Sequence, residues 1–219
     1  MKKTRVTLNN KRKTVLVVVV CFLAASATVG GLLLGSDSAH VYVEASTTPL
    51  SDASAEVSAA LPYFRRSSQN YTRGSQPARG GVGVLKRLGV RSIVDLRSTY
   101  DHTDDVRQAA AAAGLNYYWM PTSVWDPPTD DEATRFVNLV GDQSKGPFFV
   151  FCSDGLNRTG EMSALQRVMN DKWTVEQALK EMDELGFSPY YYNLRQYVWD
   201  YARKYRPEAV PPQGRVNEF

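Results

Sequence analysis

The chain has 219 residues with 26 Lys+Arg, 23 Asp+Glu, two His and two Cys, and a formal net charge of +3. At roughly 100–200 residues per domain this length holds one domain and a flanking segment, and 43% hydrophobic with 11% aromatic residues excludes wholesale disorder. Cys21 and Cys152 lie too far apart to staple a small disulfide scaffold, and with only His40 and His102 beside them no zinc or His-rich metal site is expected.

The charge sits mostly at one end. Lys2, Lys3, Arg5, Lys11, Arg12 and Lys13 precede any acidic residue, and removing those six from the net +3 leaves about −3 for the remainder. The body is therefore not a polyanion-binding surface, and no nucleic-acid partner is expected. Residues 14–35, TVLVVVVCFLAASATVGGLLLG, carry no charged side chain, and 22 residues are long enough to span a hydrocarbon core of about 30 Å. A basic n-region (1–13) ahead of an apolar run (14–35) is an export pattern, either a transmembrane anchor or a signal h-region. Ala25-Ser26-Ala27 offers a cleavage site and Val43-Glu44-Ala45 a less well placed one, while the length favours an uncleaved anchor. In both cases the cationic end stays in the cytoplasm and the rest is exported, membrane-anchored or secreted. The alternative, a buried core helix, fits poorly with so long an uncharged run. Cys21 reads as apolar filler within it. Residues 36–60 are small, polar and Ser/Ala-rich, the composition of a flexible linker, which leaves 61–207 as the folded domain and 208–219 as a tail.

Within the domain, strand and helix patterns alternate. RSIVDLRS (91–98) is a β-branched run after the helix stop Leu88-Gly89. DDVRQAAAAAG (104–114) predicts a helix stopped by Gly114, and LNYYWMP (115–121) the next strand. Thr129 with Glu132 has the form of a capping box, after which Phe136, Val137 and Val140 share one helical face. GPFFVF (146–151) is a continuous apolar run, as a strand buried on both faces requires. Met162, Leu165, Val168 and Met169 recur at helical spacing, and Thr174 with Gln177 caps another helix that Gly186 ends. The aromatic stretch FSPYYYNLRQYVWDYARKY (187–205) has two readings, a substrate platform or a helix packed on the domain. The helical spacing of Leu194, Tyr197, Val198 and Tyr201 favours the second. Strands alternating with helices imply crossover connections, hence an α/β domain with a central, mostly parallel sheet flanked by helices.

In open α/β sheets ligands bind beyond the carboxyl ends of the strands. There the sequence reads VFCSDGLNRTG, residues 150–160. A short loop between Cys152 and Arg158 at a helix N-terminus points several backbone N–H groups at one spot, an anion cradle. Gly155 permits the conformation this needs, and Arg158 offers a planar fork for two phosphate oxygens. That positive field favours the nucleophilic thiolate of Cys152, and Thr159 is placed to donate its hydroxyl to the sulfur. The plain alternative, a buried structural thiol, leaves the company of Gly155, Arg158 and Thr159 at a strand-to-helix junction unexplained.

Cys-x5-Arg-Thr-Gly resembles the signature loop of the cysteine-dependent protein tyrosine and dual-specificity phosphatases. YTRGSQP (71–77), VDLRS (94–98) and DPPTDDEATRF (126–136) further resemble the bacterial and plant-type atypical dual-specificity group, and the similarity runs over about 61–206. The resemblance implies the phosphatase-type fold and hydrolysis of phosphomonoesters through a phosphocysteine, without metal or cofactor. Cys152 would be the nucleophile, Arg158 the phosphate clamp, the amides of Ser153, Asp154, Gly155, Leu156, Asn157 and Arg158 the phosphate cradle, and an aspartic acid on a mobile loop the general acid. SVWDPP places Asp126 beside Trp125 and Pro127, similar to the family's Trp-Pro-Asp loop with its order altered, so Asp126 is favoured. Asp130 and Asp131 are rivals that the helix's first turn already employs. The family usually has His immediately before the cysteine; Phe151 stands there, which keeps an inactive phosphate-binding module as an alternative.

None of the variable loop positions Ser153, Asp154, Leu156 and Asn157 is basic, whereas highly phosphorylated substrates need extra countercharge. This points to singly phosphorylated targets, phosphotyrosine first, with phosphoserine/threonine or a small phosphate ester open. A rhodanese-like sulfurtransferase is a further alternative, opposed by the Arg158-Thr159 pair. Arg73 and Arg97 read equally as site residues or surface charges, and the domain is expected to be monomeric.

Overall fold

The computed structural model describes residues 54–211, all within the unit Ser46–Phe219. The expected basic n-region, the apolar segment at 14–35 and the linker up to residue 53 lie outside the described residues, as do residues 212–219. Among the described residues no helix is long and apolar enough to cross a membrane.

Five strands form one sheet: β1 (Arg65–Arg66), β2 (Tyr71–Ser75), β3 (Ser92–Asp95), β4 (Asn116–Trp119) and β5 (Phe148–Cys152), in the order β1-β2-β5-β3-β4. Only β1 runs antiparallel; β2, β5, β3 and β4 are parallel neighbours, as the alternating pattern predicts. The central strand β5 is buried along its whole length because helices cover both faces of the sheet. One layer contains α1 (Ala55–Ala60), α2 (Gly81–Arg87) and α3 (Asp105–Ala113), whose Val57, Leu85, Val106 and Ala110 pack with Phe149 and Phe151. The other contains α4 (Asp130–Gly141), α5 (Asn157–Met169), α6 (Val175–Glu184) and α7 (Tyr192–Tyr205), whose Phe136, Leu165, Leu179 and Val198 pack with Phe148, Val150 and Cys152. The two-residue alternation of a strand thus sends Cys152 and Phe151 to opposite layers.

Both expected capping boxes form. The Thr129 side chain accepts from the Glu132 amide at 3.3 Å and Glu132 accepts from the Thr129 amide at 2.8 Å, with the same reciprocal pair at Thr174 and Gln177. Gly114 ends α3 at φ +67°, and the C-terminal aromatic stretch is mainly helix, with Leu194, Val198 and Tyr201 buried. At two borders the structure differs from the sequence reading. The linker expected over 36–60 ends in helix α1, capped by Ser54 and docked through the buried Val57 and Leu61. AEVSAA has too few large apolar residues to show a helical period. At the other end a 3-10 turn at Pro207–Ala209 buries Ala209, so the domain runs past residue 207.

Candidate active site

Because β2, β5 and β3 are parallel and in register (Ser75 opposite Cys152, Asp95 opposite Phe151), their carboxyl ends meet where β5 passes into α5. Cys152 is the last residue of β5 and is 2% exposed. Its Sγ accepts a hydrogen bond from the Gly155 amide at 3.2 Å, the cradle geometry expected of a loop that turns its N–H groups inward. Gly155 has φ +73°, and a Cβ on it would lie 2.5 Å from the Gly74 carbonyl oxygen and 2.5 Å from the Ser75 nitrogen, so no other residue fits. Arg158, in the first turn of α5, is 4% exposed and brings its guanidinium back over the loop.

What holds Arg158 was not legible in the sequence. Asp101, in the connection between β3 and α3, grips it end-on: Nη2 donates to Oδ2 at 2.7 Å and Nη1 to Oδ1 at 3.4 Å, and Ser153 Oγ also donates to Oδ2. Burial opposes ionisation of Asp101, but the hydrogen bonds from Arg158, Ser153 and Ser98 outweigh it and hold the carboxyl far below the usual carboxylate range. Asp101 is therefore an anion throughout the working pH range, an orienting group for Arg158. Its connection is itself braced. Asp95 and Arg97, both fully buried, form a bidentate pair with Nη2–Oδ2 at 2.7 Å, Tyr117 Oη donates to Asp95 at 2.6 Å, and Arg97 Nη2 donates to the Thr103 carbonyl at 3.2 Å. The VDLRS stretch is thus the brace of the loop carrying Asp101, and Arg97 is not a surface charge. Neither is Arg73, 3% exposed on β2. No sequence signal short of an alignment singles out Asp101 among Asp101, Asp104 and Asp105.

The remaining candidates divide. Asp126 is exposed on the segment before α4; its amide donates to Ser123 Oγ at 3.1 Å, and it makes no ion pair or hydrogen bond to Cys152 or Arg158. That segment is fastened to the start of α7, where Asn193 Nδ2 donates to the Trp125 carbonyl and the Trp125 and Tyr191 rings lie 5.9 Å apart. The Ser188 amide in turn donates to Asn157 Oδ1 at 2.9 Å, so the stretch before α7 bridges the Cys152–Arg158 loop and the Asp126 segment. Asp130 is engaged elsewhere, bound to Lys204 Nζ at 2.6 Å and to the hydroxyls of Tyr197 and Tyr205. Thr159 Oγ1 is buried without a hydrogen-bond partner among the described residues, so the expected bond to Cys152 is not made. Phe151 points into the other layer, stacked on Phe149 at 5.8 Å with the Arg97 guanidinium 5.1 Å above its ring. Among the described residues no cluster of His, Cys, Asp or Glu is arranged to hold a metal ion.

Comparison with known proteins agrees with this geometry. Residues 52–197 match the family described as DSP-PTPase phosphatase fused to NAD+ kinase. The dual specificity protein phosphatase TpbA of Pseudomonas aeruginosa is 30% identical over 166 residues, covering 75% of this chain and 72% of the relative. Its crystal structure superposes with a TM-score of 0.55 at 26% identity, covering 63% of this chain and 84% of that one. A cysteine-to-serine variant of TpbA in complex with pTyr gives 0.54 at 26%, covering 62% and 82%. A thiol under a loop amide, a buried arginine over the same loop and a family match spanning both strands and helices converge: the chain belongs to the DSP-PTPase phosphatase family and is a cysteine-dependent phosphatase.

Proposed function

We propose that this phosphatase hydrolyses phosphotyrosine through a phosphocysteine at Cys152, with Asp126 as general acid and base. The observation that carries the assignment is the closed loop in which the Gly155 amide faces Cys152 Sγ while Arg158, held by Asp101, lies over it. The thiolate attacks phosphorus in line as the bond to the tyrosyl oxygen breaks, and Asp126 gives its proton to that oxygen. Water then attacks the phosphocysteine, Asp126 takes the proton, and inorganic phosphate leaves as the Cys152 thiolate is restored. The loop amides and Arg158 stabilise the equatorial oxygens throughout. Of the acidic candidates, Asp101 is ionised on Arg158 and Asp130 is tied to α7, whereas among the described residues the Asp126 carboxylate accepts only from Ser123 Oγ, at 3.4 Å.

Two observations support an aryl phosphate. No basic side chain occupies the loop positions Ser153, Asp154, Leu156 or Asn157. Exposed Trp125 and Tyr190, with Tyr191 between them, flank the segments bridged to the loop, a surface suited to an aromatic side chain and its neighbours. The TpbA variant bound to pTyr is a relative in keeping with this reading. The test is hydrolysis of p-nitrophenyl phosphate and a panel of phosphotyrosine, phosphoserine and phosphothreonine peptides by wild type, Cys152→Ser, Asp126→Asn and Asp131→Asn. Cys152→Ser abolishes turnover, and Asp126→Asn removes the alkaline limb of the pH–rate profile. Full activity in Cys152→Ser, or a phosphoserine preference, overturns the assignment.

A further inference from the structure

A loop whose N–H groups converge on an anion must turn its carbonyl oxygens the other way, and those oxygens need donors when buried. Here the carbonyls of residues 153–156 each receive a donor from one short stretch of chain. The Gln76 amide donates to the Ser153 carbonyl at 3.3 Å, Ser75 Oγ to the Asp154 carbonyl at 2.7 Å, and Arg73 Nη2 to the Gly155 carbonyl at 2.9 Å and the Leu156 carbonyl at 3.5 Å. The carbonyls of residues 153–156 are thus held by three donor residues, Arg73, Ser75 and Gln76, among four successive positions at the end of β2, and the Leu156 carbonyl also accepts from the Gly160 amide at 2.9 Å. Gly74, the one member without a donor, is where Gly155 presses against the strand.

We infer that Arg73, Ser75 and Gln76 form a rear clamp that keeps the Cys152–Arg158 loop in its phosphate-binding shape, with Arg73 as the principal positioning residue. This rests on the assignment of that loop as the phosphate site. Three features single out Arg73. It is nearly fully buried, which works against its charge, yet its side-chain hydrogen bonds go to main-chain carbonyls and Glu181 acts on it only through space. A cation is kept there at a desolvation cost that loop carbonyls, each the negative end of a peptide dipole, offset. It also interacts electrostatically with Cys152, as Arg158 does. Finally, Phe151, the residue before Cys152, faces the other layer and gives the loop no hydrogen bond, so the support comes from a neighbouring strand. The parallel register that puts Arg73 beside Val150 and Ser75 beside Cys152 supplies it from β2.

The test uses inorganic phosphate, the reaction product, as the probe, with binding measured by calorimetry and as competitive inhibition of p-nitrophenyl phosphate hydrolysis. Arg73→Met is expected to weaken phosphate binding and kcat/KM on the order of 10²-fold, the loss that follows when an oxyanion donor is misplaced. Arg73→Lys, which keeps the charge and reaches one carbonyl, recovers part of it, and Ser75→Ala loses about fivefold, one neutral hydrogen bond. A second readout is the split between kcat and KM in the folded variants: a loop that has lost its shape lowers kcat as well as phosphate affinity, whereas a purely structural arginine lowers Tm and leaves both in place. If Arg73→Met does not fold, Arg73→Lys and Ser75→Ala decide. Phosphate binding within twofold of wild type in every folded variant overturns the clamp. Failure of the wild type to turn over p-nitrophenyl phosphate would instead count against the proposed function, leaving calorimetry to judge the clamp.

Discussion

Replacing Gly155 by Ala tests the loop geometry most directly, because its cost has two parts that the structure separates. The first is conformational: an L-residue at φ +73° pays about 1–2 kcal/mol for the left-handed region. The second is steric. The new methyl would stand 2.5 Å from the Gly74 carbonyl oxygen and 2.5 Å from the Ser75 nitrogen, main-chain atoms that no rotamer change can move aside. Relieving such overpacking by backbone shifts costs about 1–3 kcal/mol. Together these give about 2–5 kcal/mol, a fall in Tm of about 5–20 °C for a domain of this size. The only escape is for the loop to lift off β2, which withdraws the Gly155 amide from Cys152 and lowers kcat/KM by at least about 10²-fold. Gly114→Ala is the control. It has φ +67° but nothing within 4 Å of a Cβ, so it should lose only the conformational part, with kinetics unchanged. Thermal melts and p-nitrophenyl phosphate kinetics on the two variants suffice. A Gly155→Ala enzyme with a Tm no lower than that of Gly114→Ala and kcat/KM within threefold of wild type would refute the close approach of loop and strand.

Asp101→Asn removes the charge that orients Arg158 and is expected to lower kcat/KM about tenfold while leaving Tm nearly unchanged, Asp101 itself being part-exposed and the amide oxygen still able to accept from the arginine; a gain in activity would mean that Asp101 competes with phosphate for the arginine. Arg97→Met, which strands the buried Asp95, should destabilise by about 3–5 kcal/mol in urea titrations, and a loss under 1 kcal/mol would show that the pair is not a brace. Glu161 is fully buried with both carboxylate oxygens unpartnered among the described residues, and burial raises its carboxyl well above the usual range. The native state therefore holds a proton that the unfolded chain releases above the ordinary carboxylate pKa, so stability is greatest below that pH and is lost as pH rises toward the folded value. Glu161→Gln, neutral throughout, should match wild type in urea near pH 4 and outlast it at pH 9; parallel pH dependences in the two proteins would dismiss the buried proton.

Strands β3, β4 and β5, helices α3 to α7 and the nucleophile loop were legible for local reasons. β5 is legible because a strand covered on both faces must be apolar throughout, and α4 and α6 because their capping boxes are three-residue patterns. Cys152, Gly155 and Arg158 lie within one contiguous motif. What was not legible depends on contacts between segments distant in sequence. Asp101 meets Arg158 across 57 positions and Arg73 meets Gly155 across 82, and neither Asp101 in a polar turn nor Arg73 in a five-residue strand has a local pattern to mark it. Strand β2 itself escapes detection because YTRGS is polar, yet every one of its residues is buried. It is buried because of what it serves: Thr72 Oγ1 donates to the Phe148 carbonyl, and Arg73 and Ser75 to the loop.

That polarity also resolves the departure at Phe151. On a strand that ends in the nucleophile, the preceding side chain faces away from it, and in this sheet the opposite layer is the apolar one around Phe64, Phe149 and Leu85. A histidine at 151 would reach the loop only around the end of the strand, beside the buried Arg97 guanidinium that now lies over the Phe151 ring. Placing Phe there removes a polar group from a dry layer and lets Arg97 turn to Asp95, bracing the loop that carries Asp101 to Arg158. The cysteine loop is then held from two sides, its carbonyls by β2 and its arginine by the β3–α3 connection, so the absence of histidine is no argument for an inactive fold.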